Sequence, residues 1–101
     1  MPINTHRSDD GRTLTIGIEG RFDFSTHQAF RNAYEHENRD VKEFVVDLSR
    51  TTYLDSSALG MLLLLRDFAG GDGARIQLRN CNNDVRRILA ISNFEQLFSI
   101  Q

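Results

Sequence analysis

Two hydrophobic periods alternate along this sequence, and the alternation limits the fold more than any other feature. In TLTIGIEG, Leu14, Ile16 and Ile18 share one face and polar residues occupy the other, so a half-buried strand is predicted. The run EFVVDL (43–48) is almost continuously apolar and rich in β-branched residues, which is typical of a buried central strand. RIQLRN (75–80) alternates again and is predicted to be a strand.

Three segments carry apolar residues at helical spacing: 24–38, 57–69 and 82–93. Each follows one of these strands along the chain. Ser25 or Thr26 is the expected N-cap of the first helix, and Asn83 is the expected N-cap of the third. The second helix should end at Gly70-Gly71, because glycine readily adopts the backbone conformation that closes a helix.

The order of these elements predicts an α/β fold. Residues 8–11 (SDDG) form a turn signal, so Ile3 to Arg7 should pair with the next strand in a hairpin, and LFSI (97–100) is a candidate last edge strand. Strands that alternate with helices favour right-handed crossovers and a largely parallel sheet. We therefore expect one domain over residues 1–101, with a four- or five-stranded mixed sheet and helices mainly on one face.

The predicted core joins the apolar faces of the strands and helices. It consists of Ile16, Ile18, Val45, Val46, Leu62, Leu65, Ile76, Leu78, Ile88 and Leu89. In open α/β sheets, functional residues gather beyond the carboxyl ends of the strands. The Asp-Ser-Ser group at 55–57 follows EFVVDL by one predicted loop, so we expect it at that end of the sheet.

Composition excludes several classes of function. A net charge of −2 with scattered Lys and Arg argues against direct nucleic-acid binding. The longest apolar run, MLLLL, is far shorter than a membrane span, and the polar first residues do not resemble a signal peptide. A single cysteine, Cys81, gives no internal disulfide. These features predict a cytoplasmic protein without membrane insertion.

The segment YLDSSALGMLLLL (53–65) raises the main functional question. Asp55 or a following serine can cap the helix, because the first backbone N–H groups of a helix lack intrahelical partners. The same free N–H groups and the helix dipole also favour a phosphate. A phosphoserine there, beside an apolar contact surface, would be tolerated by the free protein and disfavoured in a complex. Both interpretations remain open at this point.

The predicted second helix has a broad apolar face toward the sheet, made of Ala58, Met61, Leu62, Leu65 and Ala69. Leu59 and Leu63 fall between polar positions on the other side. A helix surface that only faces water does not need leucines at these two positions. Either a neighbouring loop covers them, or they belong to a partner surface that begins one turn from the serines.

Three segments resemble the STAS family of anti-sigma factor antagonists. VVDLSRTTYLDSSALGMLLLL is similar to the family signature, in which a strand and a loop lead to Asp-Ser-Ser-Gly-Leu-Gly at the start of a helix. IEGRFDFST is similar to the Gly-x-Leu-Asp segment before the first helix, and NDVRRILAISNFEQLFSI resembles the closing helix and strand. Ala58 stands where the family usually has glycine, and its methyl group could crowd a partner's backbone.

The resemblance implies a regulated binding protein rather than an enzyme, with no cofactor or metal of its own. Its partner would be an anti-sigma factor that is also a serine kinase of the histidine-kinase-like ATPase fold. That kinase would phosphorylate Ser56 and thereby be released, and a metal-dependent serine phosphatase would restore the unmodified serine. Asp55 and Asp23 would support the acceptor, while Ser57 would be the cap and the runner-up acceptor. Leu59 and Leu63 are the expected partner contacts.

Two alternatives to this interpretation remain. A serine hydrolase is disfavoured, because Ser56 lacks the G-x-S-x-G elbow and the possible bases His6, His27 and His36 all lie within the first 36 residues. A non-switching STAS subunit of a transport or signalling complex is the stronger rival. The intact Asp-Ser-Ser group favours the switch, since a constitutive subunit needs no acceptor.

Overall fold

The segments of period two form one mixed sheet in the computed structural model, which describes residues 2–36 and 40–101. The strands of the chain are β1 (Ile3–Arg7), β2 (Thr13–Ile18), β3 (Gly20–Phe22), β4 (Glu43–Asp47), β5 (Thr51–Leu54), β6 (Ile76–Arg79) and β7 (Ser99–Ile100). Five of them make the main sheet in the order β1-β2-β4-β6-β7. β1 is antiparallel to β2, and the other neighbours are parallel. The predicted hairpin, mixed sheet and last edge strand are confirmed.

The three predicted helices are present as α1 (His27–His36), α2 (Ser56–Phe68) and α3 (Asn83–Ile91). Two predicted caps are wrong. A 3-10 turn, Phe24–Thr26, precedes α1 and is capped by Asp23 instead of by a residue of the turn itself. The cap of α3 is Asn82, whose side chain accepts a 2.8 Å hydrogen bond from the N–H of Val85. Residues 37 and 38, the predicted end of the first helix, lie outside the described residues.

One hydrophobic core lies between the main sheet and the helices, which cover a single face of that sheet. Nine of the ten predicted core residues are buried, and Ile88 is partly buried against the core. Val45 is buried but does not join this core. Successive side chains of a strand point to opposite faces, so Val45 lies on the face opposite to that of Val46.

A second, smaller sheet is not predicted by the sequence, in which the residues before Asp55 are expected to form a loop. β3 and β5 pair in parallel, with Arg21 opposite Tyr53 and Phe22 opposite Leu54. Each strand has only three or four residues, too few for a periodic signal. The buried Thr51 hydroxyl donates a 2.9 Å hydrogen bond to the carbonyl of Ile18 and so ties this pair to the end of β2.

Candidate functional site

The site begins where the small parallel sheet ends. Phe22 and Leu54 are opposite each other in the β3–β5 pair, and each is followed directly by an aspartate. Asp23 and Asp55 therefore leave the sheet side by side. Their carboxylates interact, since the charge of Asp23 acts to raise the pKa of Asp55. The short sheet is what brings residues 23 and 55 together, although 32 positions separate them in sequence.

Asp55 is the N-cap of α2. One of its carboxylate oxygens accepts hydrogen bonds from the N–H groups of Ser57 (3.0 Å) and Ala58 (3.1 Å) and from the Ser57 hydroxyl (2.6 Å). The Ser57 hydroxyl is the main reason that the pKa of Asp55 lies below its ordinary value, with the backbone N–H groups adding to it. The expectation that Ser57 is the cap is thus wrong. Its side chain supports the cap by donating to Asp55.

Asp23 repeats this arrangement at the end of β3. It accepts hydrogen bonds from the N–H group (3.0 Å) and the hydroxyl (2.5 Å) of Ser25. Its other oxygen accepts from Arg21 Nε at 3.2 Å. The hydroxyl of Ser25 is the main cause that lowers the pKa of Asp23, and Arg21 lowers it further. Two Asp-x-Ser turns of matching geometry therefore stand next to each other.

Ser56 is the first residue of α2, and its side chain is exposed. Among the described residues, no hydrogen bond engages the Ser56 hydroxyl, whereas the Ser57 hydroxyl is occupied by Asp55. The two serines that the sequence left as rivals therefore differ in availability. An exposed hydroxyl at a helix N-terminus can accept a phosphoryl group, and the free N–H groups there would stabilise the resulting negative charge.

Exposed apolar side chains occur on the elements that carry or adjoin the serine. Leu63 is 42% exposed, while Leu59 is partly buried against the core. Two exposed aromatic residues here were not predicted from the sequence. Phe24, the residue after Asp23, is 72% exposed and stacks on His27 at 5.4 Å between ring centroids. Tyr53 is 42% exposed. When FDFS (22–25) is aligned with LDSS (54–57), Phe24 falls at the position that corresponds to Ser56.

Comparison with known proteins places this arrangement in a family. The family model described as "Mlab, STAS domain" matches residues 5–99. A STAS-domain containing protein of Pseudomonas aeruginosa is 63% identical over 100 residues, which cover 99% of each chain. This chain belongs to the STAS domain family.

Solved structures share the fold of this STAS domain. A Thermotoga maritima protein proposed as an anti-sigma factor antagonist superposes with a TM-score of 0.83 at 19% identity, covering 97% of this chain and 84% of the other. The Bacillus cell fate determinant SpoIIAA in its phosphorylated form gives a TM-score of 0.73 at 17% identity, covering 98% and 90%. The family resemblance predicted from the sequence and the mixed-sheet fold are thus confirmed, and the structural neighbours include anti-sigma factor antagonists.

The departure from the family pattern at Ala58 has no effect on the surface of this STAS domain. Ala58 is fully buried on the inner face of α2, so its methyl group packs into the core and cannot crowd a partner's backbone. Over residues 2–36 and 40–101, no group of three metal-ligating side chains is brought together. Within the same ranges, no helix has the length and hydropathy needed to cross a bilayer.

Proposed function

We propose that this STAS domain is a phosphorylation-switched anti-sigma factor antagonist with Ser56 as its acceptor. The observation that carries the proposal is the difference between the two adjacent serines. Ser56 presents a free, exposed hydroxyl at the start of α2, and the Ser57 hydroxyl is held by the Asp55 carboxylate at 2.6 Å. The kinase would transfer the γ-phosphoryl group of ATP to Ser56 Oγ, with release of ADP and the hydroxyl proton.

The physical basis of the switch is a difference in solvation. In the free protein a phosphate on Ser56 stays in water and faces the N-terminus of α2, so the fold should change little. In a complex, its charge of about −1.5 to −2 would have to be desolvated against a surface that fits a neutral hydroxyl. Unphosphorylated protein would therefore bind an anti-sigma factor and serine kinase of the histidine-kinase-like ATPase fold, and phosphorylated protein would release it.

The neighbouring residues have separate proposed roles. Leu59, which is partly buried, and Leu63, which is exposed, would contact the kinase one turn and two turns beyond the serine, respectively. Asp55 holds the first turn of α2 in place and so fixes the position of the acceptor. Asp23, beside Asp55, would help to place the acceptor or the metal of the kinase's nucleotide. A metal-dependent serine phosphatase would reverse the modification.

The proposal is tested with purified kinases of the histidine-kinase-like ATPase fold from the host organism. Each is incubated with ATP and the wild-type protein or a variant, and mass spectrometry then locates the phosphate. We expect Ser56→Ala to lose the phosphate and to bind the kinase constitutively in a pull-down. Ser56→Asp should bind at least about tenfold more weakly, which corresponds to about 1.4 kcal/mol. Ser57→Ala, the matched control, should still be phosphorylated.

Other outcomes would redirect the proposal. Phosphate that persists on Ser56→Ala would move the acceptor to Ser57. If Ser56→Asp binds as tightly as wild type, the non-switching STAS subunit of a transport or signalling complex becomes the better reading. Asp23→Ala should slow phosphorylation while leaving binding intact. A loss of binding in that variant would instead make Asp23 part of the contact surface.

A further inference from the structure

Arg21 occupies a defined position beside the proposed acceptor. It lies opposite Tyr53 in the β3–β5 pair, and its guanidinium carbon sits 4.3 Å from the centre of the Tyr53 ring. Its Nε atom donates a 3.2 Å hydrogen bond to Asp23, so the guanidinium is directed toward the end of the sheet from which Ser56 emerges. The side chain is 66% exposed and is therefore free to change partner.

A phosphate on Ser56 would enter a site that already contains negative charge. The carboxylates of Asp23 and Asp55 stand together at this end of the small sheet, and hydrogen bonds hold both pKa values below the ordinary value. A further charge of about −1.5 to −2 would be repelled by both. Among the ion pairs of the described residues, one involves these two carboxylates, and it joins Asp23 to Arg21.

We propose that Arg21 receives the phosphate of phosphorylated Ser56 by moving its guanidinium from Asp23 to the phosphate. This inference rests on the proposed function, because it needs Ser56 to be the acceptor. A phosphate carries more charge than a carboxylate and offers three acceptor oxygens to the fork of an arginine, so it is the stronger partner. The face of Tyr53 supports the guanidinium from beneath through a cation–π contact in either position.

The exchange would also change what a binding partner meets. In unphosphorylated protein the exposed guanidinium on Tyr53 is hydrogen-bonded to Asp23 through Nε, and in phosphorylated protein the phosphate would occupy its fork of N–H groups. Phosphorylation would thus remove a positive contact at the same time as it adds negative charge next to Ser56. Lysine should replace Arg21 only in part, because an ammonium lacks the planar fork and stacks less well on an aromatic ring.

The test places the phosphate without a kinase. Phosphoserine is incorporated at position 56 during translation, and the second ionisation of its phosphate is followed by ³¹P NMR across the pH range. We expect Arg21→Ala to raise the phosphate pKa by about 0.5 to 1 relative to the otherwise unchanged phosphoprotein, because loss of a neighbouring cation disfavours the dianion. Arg21→Lys should give a smaller rise.

Arg50→Ala is the matched control, since Arg50 is an exposed arginine whose ion pair is with Glu19 at 3.7 Å. It should leave the phosphate pKa unchanged. An equal phosphate pKa in Arg21→Ala and Arg50→Ala would overturn the inference. If Arg21→Ala does not fold, Arg21→Lys is compared with Arg50→Ala in the same way, and an equal phosphate pKa in these two variants would overturn it. Failure of the switch itself would show separately, as absence of kinase-dependent phosphorylation of Ser56 or of any effect of the phosphate on binding.

Discussion

The two Asp-x-Ser turns at the end of the small sheet are nearly the same in hydrogen bonding and very different in what they present. In both, the aspartate accepts from the N–H group and the hydroxyl of the serine two residues later. The residue between them is Phe24 in the first turn and Ser56 in the second. The first turn continues as a three-residue 3-10 turn that leads directly into the ten-residue helix α1, and the second opens the 13-residue helix α2.

This difference separates the hydrogen bonds that form both turns from the hydroxyl that is proposed to be phosphorylated. The Asp-x-Ser hydrogen bonds form a turn and a cap in both places, so they do not by themselves indicate phosphorylation. What distinguishes the second turn is the free hydroxyl of Ser56, which opens an α-helix and not a 3-10 turn. The first turn instead offers an exposed aromatic ring, Phe24, at the equivalent position.

The largest effect is expected from making the two turns alike. Phe24→Ser gives the first turn the sequence Asp-Ser-Ser, at little cost in stability because the ring is mostly exposed. We expect the new hydroxyl at position 24 to take up about a tenth or less of the phosphate found on Ser56, since it opens a 3-10 turn and is not followed by the leucines of α2 that would contact the kinase. Phosphopeptide mapping after incubation with the kinase gives both values in one sample. Equal phosphorylation would show that turn geometry is sufficient.

A smaller effect is expected from the leucine-rich helix α2, which follows the second turn. Leu63→Ala should weaken binding to the kinase by about five- to thirtyfold, or about 1–2 kcal/mol if this side chain is a central anchor. Leu64→Ala is its control, because Leu64 is similarly exposed but lies 100° farther around α2. Isothermal titration calorimetry and thermal melting separate affinity from stability. Equal losses of affinity in Leu63→Ala and Leu64→Ala would contradict a contact centred on Leu63. Leu59→Ala is judged separately: if it loses as much stability as affinity, Leu59 is a core residue.

The smallest effect concerns the caps themselves. Asp55→Ala should lower the melting temperature by about 5 °C, because it removes three hydrogen bonds at the start of a long helix. Asp23→Ala should lower it less, since Asp23 accepts from one backbone N–H group, whereas Asp55 accepts from two. Differential scanning calorimetry makes the comparison. A larger drop for Asp23→Ala would mean that the first turn contributes more to the fold than the second.

The pH dependence of the same variants provides an independent check. The folded-state pKa values of Asp23 and Asp55 are lowered, so each carboxylate stabilises the fold above its unfolded pKa of about 3.9, and this stabilisation is lost as the pH falls through the lower folded-state pKa. Wild-type protein should therefore lose stability below about pH 4 more steeply than Asp55→Ala. Parallel curves would show that the cap makes no charge-dependent contribution.

The main sheet and its helices could be predicted because their residues repeat over several turns or pleats. β2 alternates over six residues, and α2 buries Ala58, Met61, Leu62 and Leu65 on one face, as its sequence indicates. The caps were misplaced by one or more residues, because asparagine, aspartate, serine and threonine are adjacent at each helix start and all can cap. Only the backbone path decides between them, as it does between Asn82 and Asn83.

The site was predictable in its residues but not in its arrangement. The family signature marks Ser56, Asp55 and Asp23, yet nothing local shows that residues 23 and 55 are neighbours. That contact depends on β3 and β5, which are too short to give a period and pair across 32 positions of sequence. The exposure of Phe24 could not be predicted either, since an aromatic residue beside a predicted helix is usually assigned to the core.

The two outer strands of the main sheet bear on whether a further strand can add to it. Pairing with β2 on one side leaves alternate N–H and C=O groups of β1 unmatched on the other within the described part of the chain, a row that could template an added strand. The β1 residues Asn4, Thr5, His6 and Arg7 are polar or charged, and β7 at the opposite edge has only two residues. Polar edges and very short edges both discourage sheet extension, so we do not expect further copies of the chain to add strands to this sheet.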